Sequence, residues 1–431
     1  MLTRYPSKVA SVAELEAHQL AGLKWTVKHA FDNSQFYRER LVKEGITPNS
    51  IRTLDDLRLL PLLTAEDLAE GYPFPLRTAP FADLVRIHAS SGTTGKRKIL
   101  CYTQKDLDDW QDMFARCYEL AGLGREDRVQ ISVGYGLWTA GVGFQQACEK
   151  FGAMAIPVGP GNLEIQTNFL IDLQATVFCC TASMGLLLAE DILRRGLKDK
   201  LNLQKIILGA ERSSSAMLSA MRECIGVEEI YDITGLTEVY GPGTGISCRS
   251  SSSIHYWADY YILEVLNPET LEPVVPGEVG EMVYTTLCKE GAPLIRYRSR
   301  DLTRLIDEEC VCGCWLPRHD RILGRSDDVV IFRGVNIYPG QVDEVLNRVQ
   351  GIGSEYQVFF DHGEDGRDTM LVRVERTKNG NALPDDLVMK QIAGGIKHTL
   401  LTSCSVEVVD YGTMPRSERK TKRIFDNRKF E

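Results

Sequence analysis

Residues 87–98 read Ile87-His88-Ala89-Ser90-Ser91-Gly92-Thr93-Thr94-Gly95-Lys96-Arg97-Lys98. Each residue from Ser90 to Gly95 carries a hydroxyl or no side chain, and three cations follow. Glycine lets backbone N–H groups turn toward one point, hydroxyls add donors, and lysine or arginine adds positive charge. The stretch predicts a phosphate-binding loop, with a flexible polar turn as the alternative. It is not the P-loop of nucleotide triphosphatases, which has four residues between its glycines and then Lys-Ser or Lys-Thr.

Short apolar runs alternate with helical stretches on the carboxyl side of this loop. The runs at 128–133, 153–157, 176–180 and 205–208 are typical of buried strands, and the stretches at 184–194 and 215–224 are typical of helices. Such alternation predicts parallel α/β layers, with ligands at the carboxyl ends of the strands. On the amino side, apolar residues at helical spacing predict one helical region over 11–45.

The pattern changes near residue 245. Strands at 260–266, 280–286 and 302–306, joined by Pro and Gly turns, predict a mostly antiparallel section. Past Gly324 the chain restarts as a small α+β unit. We therefore predict an α/β protein with a large N-terminal domain over 1–324, which is β-rich over about 245–323, and a small mobile domain over 325–431. The boundary is expected at 324–328.

The bulk composition argues against several classes of protein. A chain of 431 residues with 43% hydrophobic and 25% charged residues is expected to form two or three domains. With a net charge of −9 and a basic stretch only at 416–429, it is not expected to bind nucleic acid. No apolar run reaches the roughly 18 residues that span a bilayer, and the start lacks a signal peptide's apolar core. Twelve cysteines without secretory features predict reduced thiols in a cytoplasmic protein. No membrane partner is expected, and a homodimer is allowed.

Two further segments supply carboxylates near the predicted phosphate site. Residues 231–238 end a strand and place Thr237 and Glu238 beside a Gly-Pro-Gly turn. A carboxylate next to a phosphate is unfavourable unless a cation lies between them, so Glu238 predicts bound Mg²⁺. Asp301 follows an arginine-rich strand and can accept hydrogen bonds from ribose hydroxyls. Each segment also has a simpler interpretation, since Thr-Glu after Gly is often a helix cap and an Arg-Asp pair is usually a surface ion pair.

The joint order of these segments resembles the phenylacetate–CoA ligase family of the adenylate-forming superfamily, nearly from end to end. The likeness rests on the phosphate loop at 88–96 and on four other segments in the family's order: Gly134-Tyr135-Gly136-Leu137-Trp138-Thr139, Gly209-Ala210-Glu211, Gly324-Arg325-Ser326-Asp327-Asp328 with residues 333–339, and Met414-Pro415-Arg416-Ser417-Glu418. The resemblance implies a two-step ligase that uses ATP, Mg²⁺ and coenzyme A. A small carboxylic acid, expected to be aromatic, forms an acyl adenylate and pyrophosphate, and the thiol of coenzyme A then displaces AMP.

The resemblance also implies a role for each site residue. The catalytic residues are Lys420, Thr237 and Glu238: Lys420 enters for the first step only, Thr237 contacts the α-phosphate, and Glu238 holds Mg²⁺. Asp327 is the hinge pivot, and Arg333 and Gly334 line the path of coenzyme A. The nucleotide is bound by Ser90, Ser91, Gly92, Thr93, Thr94, Gly95, Lys96, Gly209, Ala210, Glu211, Asp232, Thr234, Asp301 and Arg325. The acid pocket is formed by Tyr135, Gly136, Leu137, Trp138, Ala140 and Tyr240.

The chain departs from the family pattern at three places. Thr234 stands where the family usually has a tyrosine that stacks on adenine, and Arg419 replaces the glycine before the catalytic lysine. The phosphate loop continues Lys96-Arg97-Lys98 instead of Lys-Pro-Thr. Two alternatives therefore stay open. One is an adenylating enzyme whose acceptor is not coenzyme A, and the other is a non-catalytic nucleotide-binding or zinc-stabilised assembly protein.

Four residues of the antiparallel section predict a metal site. Cys248, His255, Cys310 and Cys312 supply the three thiols and one imidazole of a closed structural zinc site. The Cys-x-Cys-Gly turn resembles the knuckle of zinc-bearing members of the same family. Cys314 is a competing ligand and Cys288 a remote one. The alternative is four unrelated residues, with His255 packed near Trp257.

Overall fold

The structure of the protein is a computed structural model that describes residues 2–90, 97–328, 330–333, 335–337, 339–363, 368–377, 383–414 and 423–428. The chain forms two compact units. The first contains Met1–Cys180, Leu201–Ala210 and Glu229–Arg321. The second contains Thr181–Lys200, Glu211–Glu228 and Ile322–Glu431. No helix of the described ranges is both long and apolar enough to cross a membrane.

The α-helices of the described residues are α1 (Val12–Asn33), α2 (Gln35–Lys43), α3 (Ala65–Glu70), α4 (Gln104–Leu120), α5 (Ala140–Phe151), α6 (Leu163–Asp172), α7 (Ala182–Arg195), α8 (Ser215–Ile225), α9 (Pro339–Leu346) and α10 (Asp385–Leu400). Short 3₁₀ turns lie at Pro48–Ser50, Leu54–Leu59, Phe81–Asp83 and Lys198–Lys200.

The helical region predicted over 11–45 is two helices, not one. The backbone is extended at Ser34, which follows α1 and precedes α2. The Ser34 hydroxyl accepts from the backbone N–H of Tyr37 and so caps the second helix, as serine does in preference to continuing a helix. Helix α1 buries Leu23, Val27 and Ala30 completely, and their spacing of four and three residues places them on one face.

The first unit is built on a large mixed sheet. The strands of this unit are β1 (Leu84–Ala89), β2 (Ile99–Thr103), β3 (Arg128–Ile131), β4 (Met154–Ile156), β5 (Val177–Thr181), β6 (Lys205–Gly209), β7 (Glu229–Leu236), β8 (Gly241–Cys248), β9 (Ser251–Tyr256), β10 (Tyr261–Leu266), β11 (Gly280–Thr286), β12 (Tyr297–Thr303), β13 (Leu305–Ile306) and β14 (Arg318–His319). Nine of them form one sheet in the order β13-β14-β9-β8-β7-β6-β5-β3-β4.

The direction of the strands changes across this sheet. Strand β3 is parallel to β4 and β5, and β6 is parallel to β7. Strands β7 to β9, β13 and β14 then pair antiparallel. Strands β10, β11 and β12 form a separate antiparallel set, and β1 pairs antiparallel with β2. The predicted parallel layers and the antiparallel section after residue 245 are therefore confirmed.

The second unit has a smaller sheet of its own. The strands of this unit are β15 (Gly324–Arg325), β16 (Val330–Phe332), β17 (Val335–Ile337), β18 (Ile352–His362), β19 (Asp368–Arg376), β20 (Ser405–Val409) and β21 (Ile424–Asp426). Four strands pair in the order β20-β19-β18-β21. Their core buries Val358, Phe360 and Val372 with Ile392 and Ile396 of α10. Helices α7 and α8 belong to this unit although they come earlier in the chain.

Candidate active site

The turn between β7 and β8 carries Thr237 and Glu238, which are both buried. The turn is tight: a β-carbon added to Gly235 would lie only 1.9 Å from the backbone carbonyl oxygen of Gly241. Only glycine fits at that point. The two residues after β7 are therefore held in one position by the strand pairing on either side of them.

Two buried side chains bind the carbonyls of this turn. The Tyr102 hydroxyl donates to the carbonyl oxygens of Thr237 and Tyr240, both at 3.0 Å. The Lys289 ammonium donates to those of Glu238 at 3.0 Å and Val239 at 2.6 Å. Four successive carbonyls are thus satisfied by two side chains, which leaves the Glu238 carboxylate free to face elsewhere.

Lys289 is fully buried and sits between two aromatic rings. Its Nζ lies 4.7 Å from the ring centre of Tyr102 and 5.0 Å from that of Tyr240. Burial lowers the pKa of Lys289 to about 8, although the nearby carboxylate of Asp106 favours the charged form and so acts in the opposite direction. Asp106 in turn accepts from the backbone N–H groups of Glu290 at 2.7 Å and Gly291 at 2.8 Å, so it fixes the segment that carries Lys289.

The Glu238 carboxylate faces a cation. Its Oε1 lies 2.7 Å from Nζ of Lys98 and 3.3 Å from the hydroxyl of Tyr297. Tyr297 begins β12, and the same strand carries Asp301 near its end. Burial, and to a smaller extent the nearby carboxylate of Asp301, raises the pKa of Tyr284 in β11. Strand β12, the turn after β7 and the start of β2 therefore meet at Glu238.

The predicted phosphate loop begins and returns at this place. Ser91, Gly92, Thr93, Thr94, Gly95 and Lys96 lie outside the described residues. The backbone N–H of Ser90 donates to the carbonyl of Lys98 at 3.0 Å, which joins the two ends of the loop. Lys98, one of the two residues in this hydrogen bond, also carries the ammonium that pairs with Glu238.

The predicted acid pocket lies next to the strand that enters the loop. The Leu137 carbonyl accepts from the backbone N–H of Ala89 at 2.9 Å and from Nδ1 of His88 at 3.1 Å. Thr139, two residues on, places its hydroxyl 3.3 Å from that of Thr237. The pocket segment is therefore fastened both to the loop and to the turn that carries Glu238.

The pocket residues differ in exposure. Tyr135, Gly136 and Leu137 are exposed, Trp138 is half-buried and Ala140 is buried. The Tyr135 ring lies over Gly141 and that of Trp138 over Gly134, where a β-carbon would come within 2.5 Å and 2.9 Å of the rings. Tyr240 is completely buried against Lys289.

Four residues of the predicted nucleotide site lie on or next to β6 and β7. Gly209 ends β6, and a β-carbon there would come within 3.0 Å of the Ile233 side chain; Ala210 follows with a left-handed backbone. Asp232 pairs through Oδ2 with Nε of Arg321 at 3.1 Å. The Thr234 hydroxyl donates to the carbonyl of Gly245 at 3.4 Å, across the β7–β8 pair.

The remaining predicted site residues belong to the second unit. Glu211 accepts from the backbone N–H of Ser183 at 2.5 Å. Arg325 and Asp327 form a two-pronged pair with both N···O distances at 2.8 Å. Arg333 donates to the carbonyl of Asp368 at 2.6 and 3.1 Å. Gly334 and Lys420 lie outside the described residues.

The four predicted zinc ligands come together. One donor atom from each of Cys248, His255, Cys310 and Cys312 lies within 4.8 Å of the others. Sγ of Cys248 is 3.6 Å from Sγ of Cys310, and Sγ of Cys312 is 3.3 Å from Nε2 of His255. Burial lowers the pKa of His255 to about 4, so its imidazole is neutral, and Nδ1–H donates to the carbonyl of Leu316 at 3.3 Å. Nε2 is thereby left to face the three sulfurs.

The two other cysteines considered from the sequence are not among these four donor residues. The backbone N–H of Cys314 donates to Sγ of Cys312 at 3.4 Å, so Cys314 supports a ligand sulfur through its backbone. Sγ of Cys288 lies 3.4 Å from the carboxylate of Asp109 instead.

Lys98, Tyr297, Lys289 and Tyr102 had no assigned role from the sequence. Lysine is rarely buried without a partner, so a fully buried Lys289 could not be expected from its position in the chain. Lys98 carried a signal, since it replaces the threonine of the family's loop, but its partner Glu238 is 140 residues away.

Comparison with known proteins identifies the family. The model of the AMP-binding enzyme family matches residues 12–287, and that of the AMP-binding enzyme C-terminal domain matches residues 334–428. The phenylacetate-coenzyme A ligase of Escherichia coli (strain K12) is 38% identical over 429 residues, which cover 98% of this chain and 97% of that protein. The phenylacetate-coenzyme A ligase of Pseudomonas putida is 36% identical over 430 residues, 98% of this chain and 96% of that protein.

Among solved structures, a 2-hydroxyisobutyryl-CoA ligase in complex with R3-HIB-AMP superposes with a TM-score of 0.88 at 25% identity. The match covers 99% of this chain and 92% of that chain. The fold class and the resemblance predicted from the sequence are therefore confirmed. The chain belongs to the phenylacetate–CoA ligase family of the adenylate-forming superfamily.

Proposed function

We propose that this protein activates phenylacetate, or an aromatic acid of similar shape, and transfers it to coenzyme A. As a member of its family the chain is an AMP-forming carboxylate–CoA ligase. A carboxylate oxygen attacks the α-phosphorus of ATP, the bond to pyrophosphate breaks, and an acyl adenylate forms. The thiol of coenzyme A then attacks the acyl carbon, and AMP leaves.

A single observation carries this proposal beyond family membership. The start of β2 after the phosphate loop, the turn after β7 and the strand β12 meet at the Glu238 carboxylate, where an ammonium already lies 2.7 Å away. A buried carboxylate that holds a cation beside a phosphate loop suits Mg²⁺, which uses one or two carboxylates together with nucleotide phosphates. Glu238 would hold the ion, and Mg²⁺ would neutralise charge on the phosphates.

The other predicted residues take the roles that the family implies. Thr237 contacts the α-phosphate, Asp232 binds the adenine amino group, and Asp301 and Arg325 bind the ribose. Gly209, Ala210, Glu211 and Thr234 are further nucleotide-binding residues. Lys420 stabilises negative charge that develops during adenylation. Asp327 is the pivot of the small domain, and Arg333 and Gly334 line the path of coenzyme A.

The acid pocket supports a flat substrate. The aromatic rings of Tyr135 and Trp138 pack against glycines, and Tyr135 and Leu137 are exposed on the same segment. A ring between such groups would be held by apolar contact and edge or face packing. Both relatives reported above carry phenylacetate in their names.

A structural zinc ion is the second part of the proposal. Tetrahedral coordination at about 2.3 Å per Zn–S bond places ligand sulfurs about 3.8 Å apart. The 3.6 Å between Sγ of Cys248 and Sγ of Cys310 is near this value, and the 3.3 Å between Sγ of Cys312 and Nε2 of His255 is near the shorter spacing that a Zn–N bond of about 2.0 Å gives. Cys248, His255, Cys310 and Cys312 would hold the ion, and Nδ1–H of His255 already has the second partner that such ligands use.

Pyrophosphate release with a panel of carboxylic acids tests the proposed function. We expect release with phenylacetate in the presence of Mg²⁺, and a thioester once coenzyme A is added. Release without any thioester would indicate another acceptor. No release with any acid, although ATP binds, would favour a non-catalytic nucleotide-binding protein.

A further inference from the structure

Lys98, Glu238 and Tyr297 form a closed group at the predicted metal position. Nζ of Lys98 lies 2.7 Å from Oε1 of Glu238 and 3.4 Å from the Tyr297 hydroxyl, which is itself 3.3 Å from Oε1. The Glu238 side chain is only 7% exposed and that of Lys98 21%. The ammonium therefore occupies one carboxylate oxygen at a place that water reaches poorly.

Lys98 is held there by more than its side chain. Its backbone carbonyl accepts from Ser90, and β2 begins at the next residue and pairs with β1. The root of the side chain is therefore fixed at the mouth of the loop. Lys289 donates to the Glu238 backbone carbonyl, whereas Lys98 supplies the cation at the carboxylate itself.

A second cation at this oxygen has a direct electrostatic consequence. Mg²⁺ that approached Glu238 would be repelled by an ammonium within bonding distance of the same atom, and the repulsion is strong where solvent is excluded. Either the ammonium must leave or the ion must bind with less of the carboxylate. Both routes reduce the binding free energy that Mg²⁺ gains from its contact with Glu238.

We propose that Lys98 competes with Mg²⁺ for Glu238 and thereby lowers the preference of this enzyme for MgATP over metal-free ATP. The inference rests on the proposed function, because it takes Glu238 as the metal carboxylate. A chain with threonine at this position would lack the competing charge. Lys98 is in this sense a specificity-determining residue for the metal form of the nucleotide.

The test compares two dissociation constants for ATP, measured by calorimetry in excess Mg²⁺ and in excess EDTA. The dissociation constant in EDTA divided by that in Mg²⁺ reports the coupling between metal and nucleotide. This ratio is insensitive to a general loss of ATP affinity. We expect the ratio to be about tenfold larger in Lys98→Met and Lys98→Thr than in the wild type. Lys98→Arg keeps the charge and should keep the wild-type ratio.

Lys150→Met is the matched control. Lys150 pairs with Asp112 at 2.5 Å and is 29% exposed, so the variant removes a similar ion pair away from the site and should leave the ratio unchanged. Thermal unfolding in EDTA checks that each variant is folded. An unchanged or smaller ratio in both neutral variants, or an Lys98→Arg ratio equal to theirs, would overturn the proposal. If the wild type bound no ATP in either buffer, the proposed function itself would fail, and this inference with it.

Discussion

Lys289 shows how one buried residue can set the position of a site. Its ammonium is desolvated, and burial lowers its pKa from 10.5 to about 8. Between these two values the unfolded chain binds more protons than the folded one, so the free energy of unfolding rises with pH. The contribution of Lys289 to stability is therefore full above about pH 10.5 and is lost as the pH falls through about 8.

Lys289→Met should reveal this dependence. We expect the difference in free energy of unfolding, wild type minus variant, to increase by about 3 kcal/mol from the lower to the upper end of that window. The variant also leaves the carbonyls of Glu238 and Val239 without their donor, so adenylation should slow by about tenfold or more. Urea unfolding at several pH values and pyrophosphate release measure the two effects.

Lys198→Met controls for the loss of a lysine-to-carbonyl bond. Nζ of Lys198 donates to the Glu223 carbonyl at 2.8 Å, but the residue is exposed. Its removal should change stability by less than about 0.5 kcal/mol at every pH. If the free energies of unfolding of the wild type and of Lys289→Met changed with pH in parallel, the assigned pKa shift of Lys289 would be contradicted.

At the scale of secondary structure, the apolar runs of the sequence predicted β3, β5 and β6 because strands buried on both faces are continuously apolar. The pairing of β7 with β8 could not be predicted in this way. It depends on a close approach at Gly235, which a sequence shows only as one more glycine. Likewise, Asp232 was predicted to bind the nucleotide, and its ion pair with Arg321 joins residues that are 89 positions apart in the chain.

Gly235→Ala tests whether that approach sets the site. A β-carbon would lie 1.9 Å from the Gly241 carbonyl, so β7 and β8 must separate and the turn with Glu238 must move. We expect a loss of about 3 kcal/mol in stability and a weaker affinity for ATP. In the control Gly394→Ala, the new carbon meets no atom within 4 Å in the described structure and lies in helix α10, so stability should rise by about 1 kcal/mol.

The Cys₃His group ties the end of β8, the strand β9 and the loop before β14 to one point. Cys312→Ser should therefore lower the zinc content measured by metal analysis and reduce the melting temperature, since a bound ion stabilises the folded state. Cys224→Ser removes a thiol outside the group and should change neither. Full stability of the wild type in chelator, with less than one zinc per chain, would contradict the site.

At the scale of the whole molecule, the chain order does not follow the compact units. Helices α7 and α8 share a unit with the segment after Ile322, and Arg212 ahead of α8 pairs with Asp343 of α9 at 2.5 Å. No local pattern in the sequence marks such a partition, because it depends on which surfaces meet after folding. The division into domains at residue 324 remains a prediction drawn from the change of pattern along the chain.

The tail that carries Lys420 is anchored on both sides within the second unit. The backbone N–H of Met414 donates to Oε1 of Glu375 at 2.7 Å, and Arg423 donates to the Ser354 carbonyl at 3.0 Å. If Lys420 serves only the first step, Lys420→Ala should lose about a hundredfold or more in pyrophosphate release, because a preorganised charge at the phosphate is removed. The same variant should still convert synthetic phenylacetyl adenylate and coenzyme A into thioester at nearly the wild-type rate. Arg419→Gly, which restores the family's residue beside it, should retain both steps, and an equal loss of both steps in Lys420→Ala would show that the lysine is not confined to adenylation.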